Sequence, residues 1–274
     1  MDRPLILVTG ATDGIGRETA RELTRRGARV LVHGRNAGRV AATAAELGAL
    51  AGAPAETIVA DLASLAAVRA MAAELAARGL RPEVLLHNAG VYMKQRERSV
   101  DGFEMTLAVN HLAPFLLTHL VLASAAGERV RRVVNVSSMA HNRGRIDLDD
   151  VQLLRAPFNS YASYASSKLA NVLFTVELAR RLAGRGVTVN ALHPGVSSTK
   201  LLTEGFEMEG SDSLAESAAT SVLLCLDEGV ATASGGYYVR GKLAAMHAVA
   251  RDRELARRFY ELSAQLTGAP ALVG

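Results

Sequence analysis

A chain of 274 residues that is 49% hydrophobic, lacks Trp and carries a formal net charge of +4 is long enough for one large α/β domain with a mainly aliphatic core. The small charge excess, with arginines scattered over many expected helices, is a weak electrostatic case for nucleic acid or an anionic membrane. One cysteine, Cys225, excludes an intrachain disulfide, and its apolar run reads as a buried, inert helix position.

The first apolar run, Leu5-Ile6-Leu7-Val8-Thr9, follows Met1-Asp2-Arg3-Pro4 and is too short for a signal peptide or a membrane span. A soluble, cytoplasmic protein is expected. Next comes Thr9-Gly10-Ala11-Thr12-Asp13-Gly14-Ile15-Gly16, then a helix over 14–26 closed by Gly27, a suitable left-handed cap. The glycines let the backbone approach a pyrophosphate, and the helix N-terminus supplies amide donors and a positive dipole. A glycine-rich structural turn is the plain alternative, since the spacing departs from Gly-x-Gly-x-x-Gly. The position directly after the first strand favours phosphate binding. Further strands are expected at 29–33, 57–60, 84–87, 132–136, 187–192 and 237–239, with helices between them. The Ala-rich stretch 37–53 has an apolar face in Val40, Leu47 and Leu50, so it reads as a surface helix. Largely apolar strands alternating with helices imply a doubly wound parallel sheet of about seven strands with helices on both faces. One domain, 1–274, is expected, because no repeat or linker interrupts it. Two irregular segments, 139–163 and 199–213, follow strand carboxyl ends, where open α/β sheets place their ligand crevice.

Asp61-Leu62 closes the third strand and Asn88-Ala89-Gly90 the fourth. Asn110 follows in Ala108-Val109-Asn110-His111, Ser137-Ser138 ends the fifth strand, and Tyr164-Ala165-Ser166-Ser167-Lys168 comes next. His193-Pro194-Gly195-Val196 and then Thr199 follow the sixth strand. Any one of these strings is ordinary: Asp61 could cap the next helix, Asn110 could be a satisfied polar residue, and Ser137 or Ser138 could only end a strand. Their joint order, together with the glycine spacing, resembles the short-chain dehydrogenases/reductases over almost the whole chain.

The resemblance implies a nicotinamide-dependent oxidoreductase of Rossmann type. Residues at i and i+4 share a helix face, so Lys168 stands beside Tyr164 in one site. A phenol with a pKa of about 10 is expected to be lowered by that ammonium. Tyr161 competes for the role but has Ala165, not a lysine, four positions on. By resemblance, Tyr164 exchanges the proton, Ser138 stabilises charge on the substrate oxygen, Lys168 also binds the nicotinamide ribose, and Asn110 supports a water-mediated proton relay. The cofactor contacts so implied are Gly10, Thr12, Asp13, Gly14, Ile15, Gly16, Arg35, Asn36, Asp61, Leu62, Asn88, Ala89, Gly90, Tyr164, Lys168, Pro194, Gly195, Val196 and Thr199. After the second strand an acidic residue would bind a free ribose 2′-hydroxyl; Gly34-Arg35 stands there instead, which favours NADP(H) over NAD(H). Against it stands Asp13, at a position that is basic in several NADP-dependent relatives.

The stretches from Ser138 to Asp147 and from Ser167 to Phe174 resemble the retinol-dehydrogenase-like branch. The N-terminal membrane anchor common among its animal members does not precede Leu5, which argues against retinol itself. Leu201, Leu202, Phe206 and Met208 suggest a hydrophobic alcohol or carbonyl substrate, a lid packed on itself being the bland reading. Two other functions fit: a dinucleotide-binding regulatory protein without turnover, and a ketoreductase tailoring a secondary metabolite. Relatives often pair through the helices expected at 101–126 and 160–182, which implies a homodimer or homotetramer. No His-Glu-x-x-His or Cys/His cluster marks a metal site. His141 reads as a surface residue and His193 as a local structural one.

Overall fold

The computed structural model describes residues 3–272. One sheet contains β1 (Leu5–Val8), β2 (Arg29–Gly34), β3 (Glu56–Val59), β4 (Val84–His87), β5 (Arg132–Val136), β6 (Thr188–His193), β7 (Tyr237–Val239) and β8 (Lys242–Leu243). Their order is β3-β2-β1-β4-β5-β6-β7-β8, parallel throughout except for β8, which pairs antiparallel with β7. The eighth strand exceeds the seven expected, because two residues after a turn at Arg240 and Gly241 leave no readable pattern. The reversal between β1 and β4 opens the crevice that a doubly wound sheet offers to a ligand.

Helices cover both faces. Against Ile6, Val8, Val32 and Val134 pack α1 (Gly14–Arg25), α2 (Ala37–Ala51) and, further along the chain, α7 (Leu214–Leu226). Asp13 and Asn36 cap the first two by accepting the Gly14 and Arg39 amides. Gly27 at φ 87° permits the tight return into β2. The opposite face receives α3 (Leu65–Ala77), α4 (Met105–Leu107), a π turn (Ala108–Leu112), α5 (Ala113–Leu122) and α6 (Ser160–Arg181). Met105–Leu122 is long and apolar enough to cross a membrane by composition, yet it lies mostly buried inside the fold.

The last helix, α8 (Arg253–Thr267), crosses α5 and α6. Tyr260 lies 2.6 Å from His119 Nε2, and Ser263 lies 2.9 Å from His111 Nε2. Phe259 stacks on His111 at 4.9 Å, and Arg181 sits over the Tyr260 ring at 4.2 Å. The helices through which the resemblance implied pairing are thus covered by the chain's own C-terminal helix.

Candidate active site

The carboxyl ends of β1, β4, β5 and β6 converge on one edge. At β1, Gly10 adopts φ 67°, and a Cβ there would lie 2.9 Å from the Ala89 Cα. A Cβ on Gly16 would run into the Gly10 carbonyl and the Asn88 amide. Asn88 closes the arrangement: its Nδ2 donates to the Thr9 carbonyl at 2.9 Å, and its backbone N–H donates to Thr9 Oγ1 at 2.9 Å. Glycine is therefore required by close backbone approach, and the N-terminus of α1 begins directly at this turn, where a helix supplies amide donors and a positive dipole to an anion. Thr12 faces Gly34 across the cradle. Leu62 is buried, whereas exposed Asp61 accepts the Ala63 N–H at 2.9 Å in a local turn; the cap of α3 is Ser64, which accepts the Ala67 N–H, so Asp61 does not cap that helix.

At β5, the two serines separate. Ser137 is buried and donates to the Lys168 carbonyl at 2.8 Å, a packing contact. Ser138 accepts the Ala140 N–H at 3.2 Å and stands near enough to the Tyr164 phenol to favour its ionised form. Tyr164 and Lys168 are both buried on α6. Lys168 Nζ lies 5.5 Å from the Tyr164 ring centroid and donates to the Val136 carbonyl at 3.0 Å. Burial pushes the Tyr164 phenol up to about 12, only partly opposed by Ser138, and draws Lys168 down to about 8. The expectation that the ammonium lowers the phenol is corrected, because Lys168 stands over the ring and desolvation outweighs its charge. Asn110 sits in the π turn; its Oδ1 accepts the Val91 N–H at 2.7 Å, while Nδ2 donates to the Val91 carbonyl and to Ser167 Oγ, each at 3.0 Å. A Cβ on Gly90 would lie 3.3 Å from both Asn110 Oδ1 and Lys168 Nζ, so glycine keeps the Asn-Ala-Gly turn close against these two side chains.

The sequence model of the family described as short chain dehydrogenase matches residues 4–210. The chain belongs to the short-chain dehydrogenases/reductases. It is 40% identical to human retinol dehydrogenase 13 over 97% of this chain and 85% of that protein. A crystal structure of a protein from Mycobacterium Paratuberculosis is similar with a TM-score of 0.81 and 33% identity, covering 98% of each chain. A landomycin C-6 ketoreductase solved with bound NADP and rabelomycin matches with a TM-score of 0.66 and 27% identity, covering 86% of this chain and 94% of that one. This short-chain dehydrogenase is therefore retinol-dehydrogenase-like and an NAD(P)-dependent oxidoreductase acting on alcohols or carbonyls.

At β6 of this short-chain dehydrogenase, Gly195 takes φ 113°, and the Val196 N–H donates to Asp212 Oδ2 at 2.7 Å. The amide of Val196, one of the implied cofactor contacts, is thus paired within the chain. Pro194 is half-buried beside them, and Thr199 packs its methyl where a Cβ on Gly14 would lie 3.0 Å away. A second π turn (Leu201–Phe206) then folds over the site. Phe206 meets Tyr164 edge-on at 5.1 Å between centroids and Tyr92 at 4.1 Å, with the exposed Tyr161 at 6.3 Å. Ion pairs hold this lid at both ends, Lys200 to Asp13 at 3.5 Å and Lys94 to Glu207 at 2.6 Å.

Tyr92 and Arg39 went unread in the sequence. Tyr92 stands two residues after Asn-Ala-Gly, a signal that was available; Arg39 follows Arg35 by one helical turn. Arg39 Nη2 pairs with Asp13 Oδ2 at 2.6 Å, so the acidic loop residue already faces two cations. His141 is buried, not on the surface: it lies 2.7 Å from the Ser138 carbonyl and accepts the His247 N–H at 3.1 Å. That contact reaches across 106 residues, beyond any local pattern. His193 is likewise buried, and Cys225 is buried with its thiol pushed up to about 12.

Proposed function

We propose that the chain reduces a hydrophobic carbonyl compound, or oxidises the corresponding alcohol, with NADP(H). The observation that carries this is Tyr164, buried beside Ser138 beneath the aromatic lid of Phe206 and Tyr92. The cradle of Gly10, Gly14, Gly16 and Gly90 at the head of α1 fits a dinucleotide, whose nicotinamide would supply or accept the hydride. At neutral pH Tyr164 keeps its proton, held by burial, and donates it to the substrate oxygen during reduction. Ser138 holds that oxygen and stabilises its developing charge. Lys168, charged near neutrality, would bind the ribose hydroxyls of the dinucleotide, and Asn110 holds the segment after Asn-Ala-Gly through both backbone groups of Val91. The rings of Tyr92, Phe206 and Tyr161 favour an apolar, ring-bearing substrate.

NADP(H) is supported by Arg35, exposed at the end of β2, and by the pairing of Asp13 with Arg39 and Lys200, which offsets the carboxylate's repulsion of a phosphate. The ketoreductase solved with NADP supports the same choice. We also read the protein as cytoplasmic and, because α8 lies over α5 and α6, as a monomer. Tyr164→Phe should lower NADPH-dependent reduction of hydrophobic ketones and aldehydes by roughly 10²- to 10⁴-fold while leaving NADPH affinity within about twofold, since only the proton-transferring hydroxyl is lost. Turnover near that of the unaltered protein would sink the assignment. Tight NADPH binding without turnover of any substrate in the unaltered protein would favour the regulatory alternative.

A further inference from the structure

β2 contains a histidine whose ring joins two segments of the nucleotide cradle. His33 is buried; its Nδ1 accepts the Gly10 N–H at 3.2 Å, and its Nε2 lies 3.2 Å from the Ala60 carbonyl. Its own carbonyl accepts the Ala11 N–H at 2.9 Å. A backbone amide can only donate, so Nδ1 is the bare nitrogen and Nε2–H donates to Ala60. The ring is therefore neutral, and burial holds it so by drawing its pKa down to about 4, against the hydrogen bond to the Ala60 carbonyl and, less, the charge of Asp61. Buried, neutral His87 is the other titratable side chain near it.

Gly10 opens the glycine turn, whereas Ala60 leads into Asp61-Leu62 at the end of β3. These segments lie on separate strands and touch through the imidazole. Gly10 adopts a left-handed conformation, φ 67°, and in that conformation its N–H is directed at the His33 ring. Without Nδ1 it would be a half-buried donor lacking an acceptor, and the turn would shift to find one. We propose that His33 is a positioning residue that holds the glycine turn in its diphosphate-binding shape through the Gly10 amide and fixes its distance from the Asp61-Leu62 turn. The proposal rests on the dinucleotide reading above and adds a residue outside the motifs quoted for the resemblance.

The test uses isosteres of each half of the ring. Asn places Oδ1 where Nδ1 stands and keeps the acceptor for Gly10; Gln keeps a donor for Ala60 but loses that acceptor. ADP, which carries no nicotinamide and no 2′-phosphate, is the probe, titrated by calorimetry into the full chain. His33→Ala and His33→Gln should weaken ADP by about tenfold, the scale of one ordinary hydrogen bond. His33→Asn should stay within about threefold, and in His33→Ala and His33→Gln the loss should appear in KM for NADPH more than in kcat. Equal losses in His33→Asn and His33→Ala would overturn the proposal, because the ring would then only fill space. Should the variants fail to fold, ¹⁵N shifts of the His33 ring in the unaltered protein decide it. The Nε2–H tautomer supports the bridge and the Nδ1–H tautomer overturns it. Absence of ADP binding by the unaltered protein would refute the dinucleotide reading, an outcome distinct from either.

Discussion

Replacing Arg35 by Ser tests the cofactor preference most directly. The more obvious change, Gly34→Asp, would confound it: a Cβ at Gly34 would lie 2.7 Å from Thr12 Cγ2 and 3.1 Å from Val40 Cγ2, so an acidic side chain would also displace the cradle. Arg35 is exposed and can be shortened without touching the core. A guanidinium on a 2′-phosphate makes charge-assisted hydrogen bonds worth roughly 1.5 to 3 kcal/mol, or about ten- to a hundredfold in affinity. Arg39 offers a partial substitute. Its pair with Asp13 has both side chains about half exposed, 48% and 49%, and such pairs contribute only about 0.2 to 1 kcal/mol. A phosphate therefore competes successfully for Arg39, and the loss in Arg35→Ser should fall toward the lower end of the range. The assay is the ratio of kcat/KM for NADPH to that for NADH at fixed ionic strength, because salt screens exposed charges. Arg35→Ser should lower this ratio by about tenfold, and Arg35→Ser with Arg39→Ser by about a hundredfold. An unmoved ratio, or an unaltered protein that already prefers NADH, would refute the reasoning.

Ser138→Ala should lower kcat by about 10²-fold through lost stabilisation of the substrate oxygen, whereas Ser137→Ala should cost about 1 kcal/mol of stability with little effect on kcat; the reverse ranking in paired kinetics and urea melts would exchange the two roles. Burial depresses His33, His119 and His193 to about 4 and His87 and His111 to about 3. The unfolded chain takes up these protons near pH 6.5, so the stability they contribute is complete above that value. It falls as pH drops toward 4, by up to about 1.4 kcal/mol per unit for each histidine. A urea midpoint that stays flat from pH 7 to 5 would contradict their neutral burial. Light scattering should give a mass near 28.9 kDa; a dimer would mean that α8 leaves a pairing surface open.

The strands before the catalytic residues were legible because each is a short apolar run covered on both faces, as Leu5–Val8 and Val84–His87 illustrate. The glycine turn and the Tyr164 and Lys168 pair were legible for a different reason: both depend on local geometry, a tight turn and one helical repeat. What could not be read depends on segments distant in the chain. The burial of His141 is set by His247, the state of Asp13 by Arg39 and Lys200, and the covering of α5 by Tyr260. The sign of the Tyr164 shift was misjudged on similar grounds, since spacing gives the neighbour's charge but not the loss of water around both groups.

The π turn at Ala108–Leu112 bears on how this sequence can change. A π turn holds one more residue than the α-helical repeat, so residues before and after it face directions that an uninterrupted helix could not combine. Here it aims Asn110 at Val91 in the crevice while His111 meets Ser263 on α8. Deleting one residue from this turn would restore a regular helix from Met105 onward, with locally better hydrogen bonding. The same deletion would rotate Asn110 away from the active-site loop and uncouple the two ends of the fold. Length change, of the kind that surface loops absorb, is thus closed to a segment that looks in the sequence like uniform apolar helix.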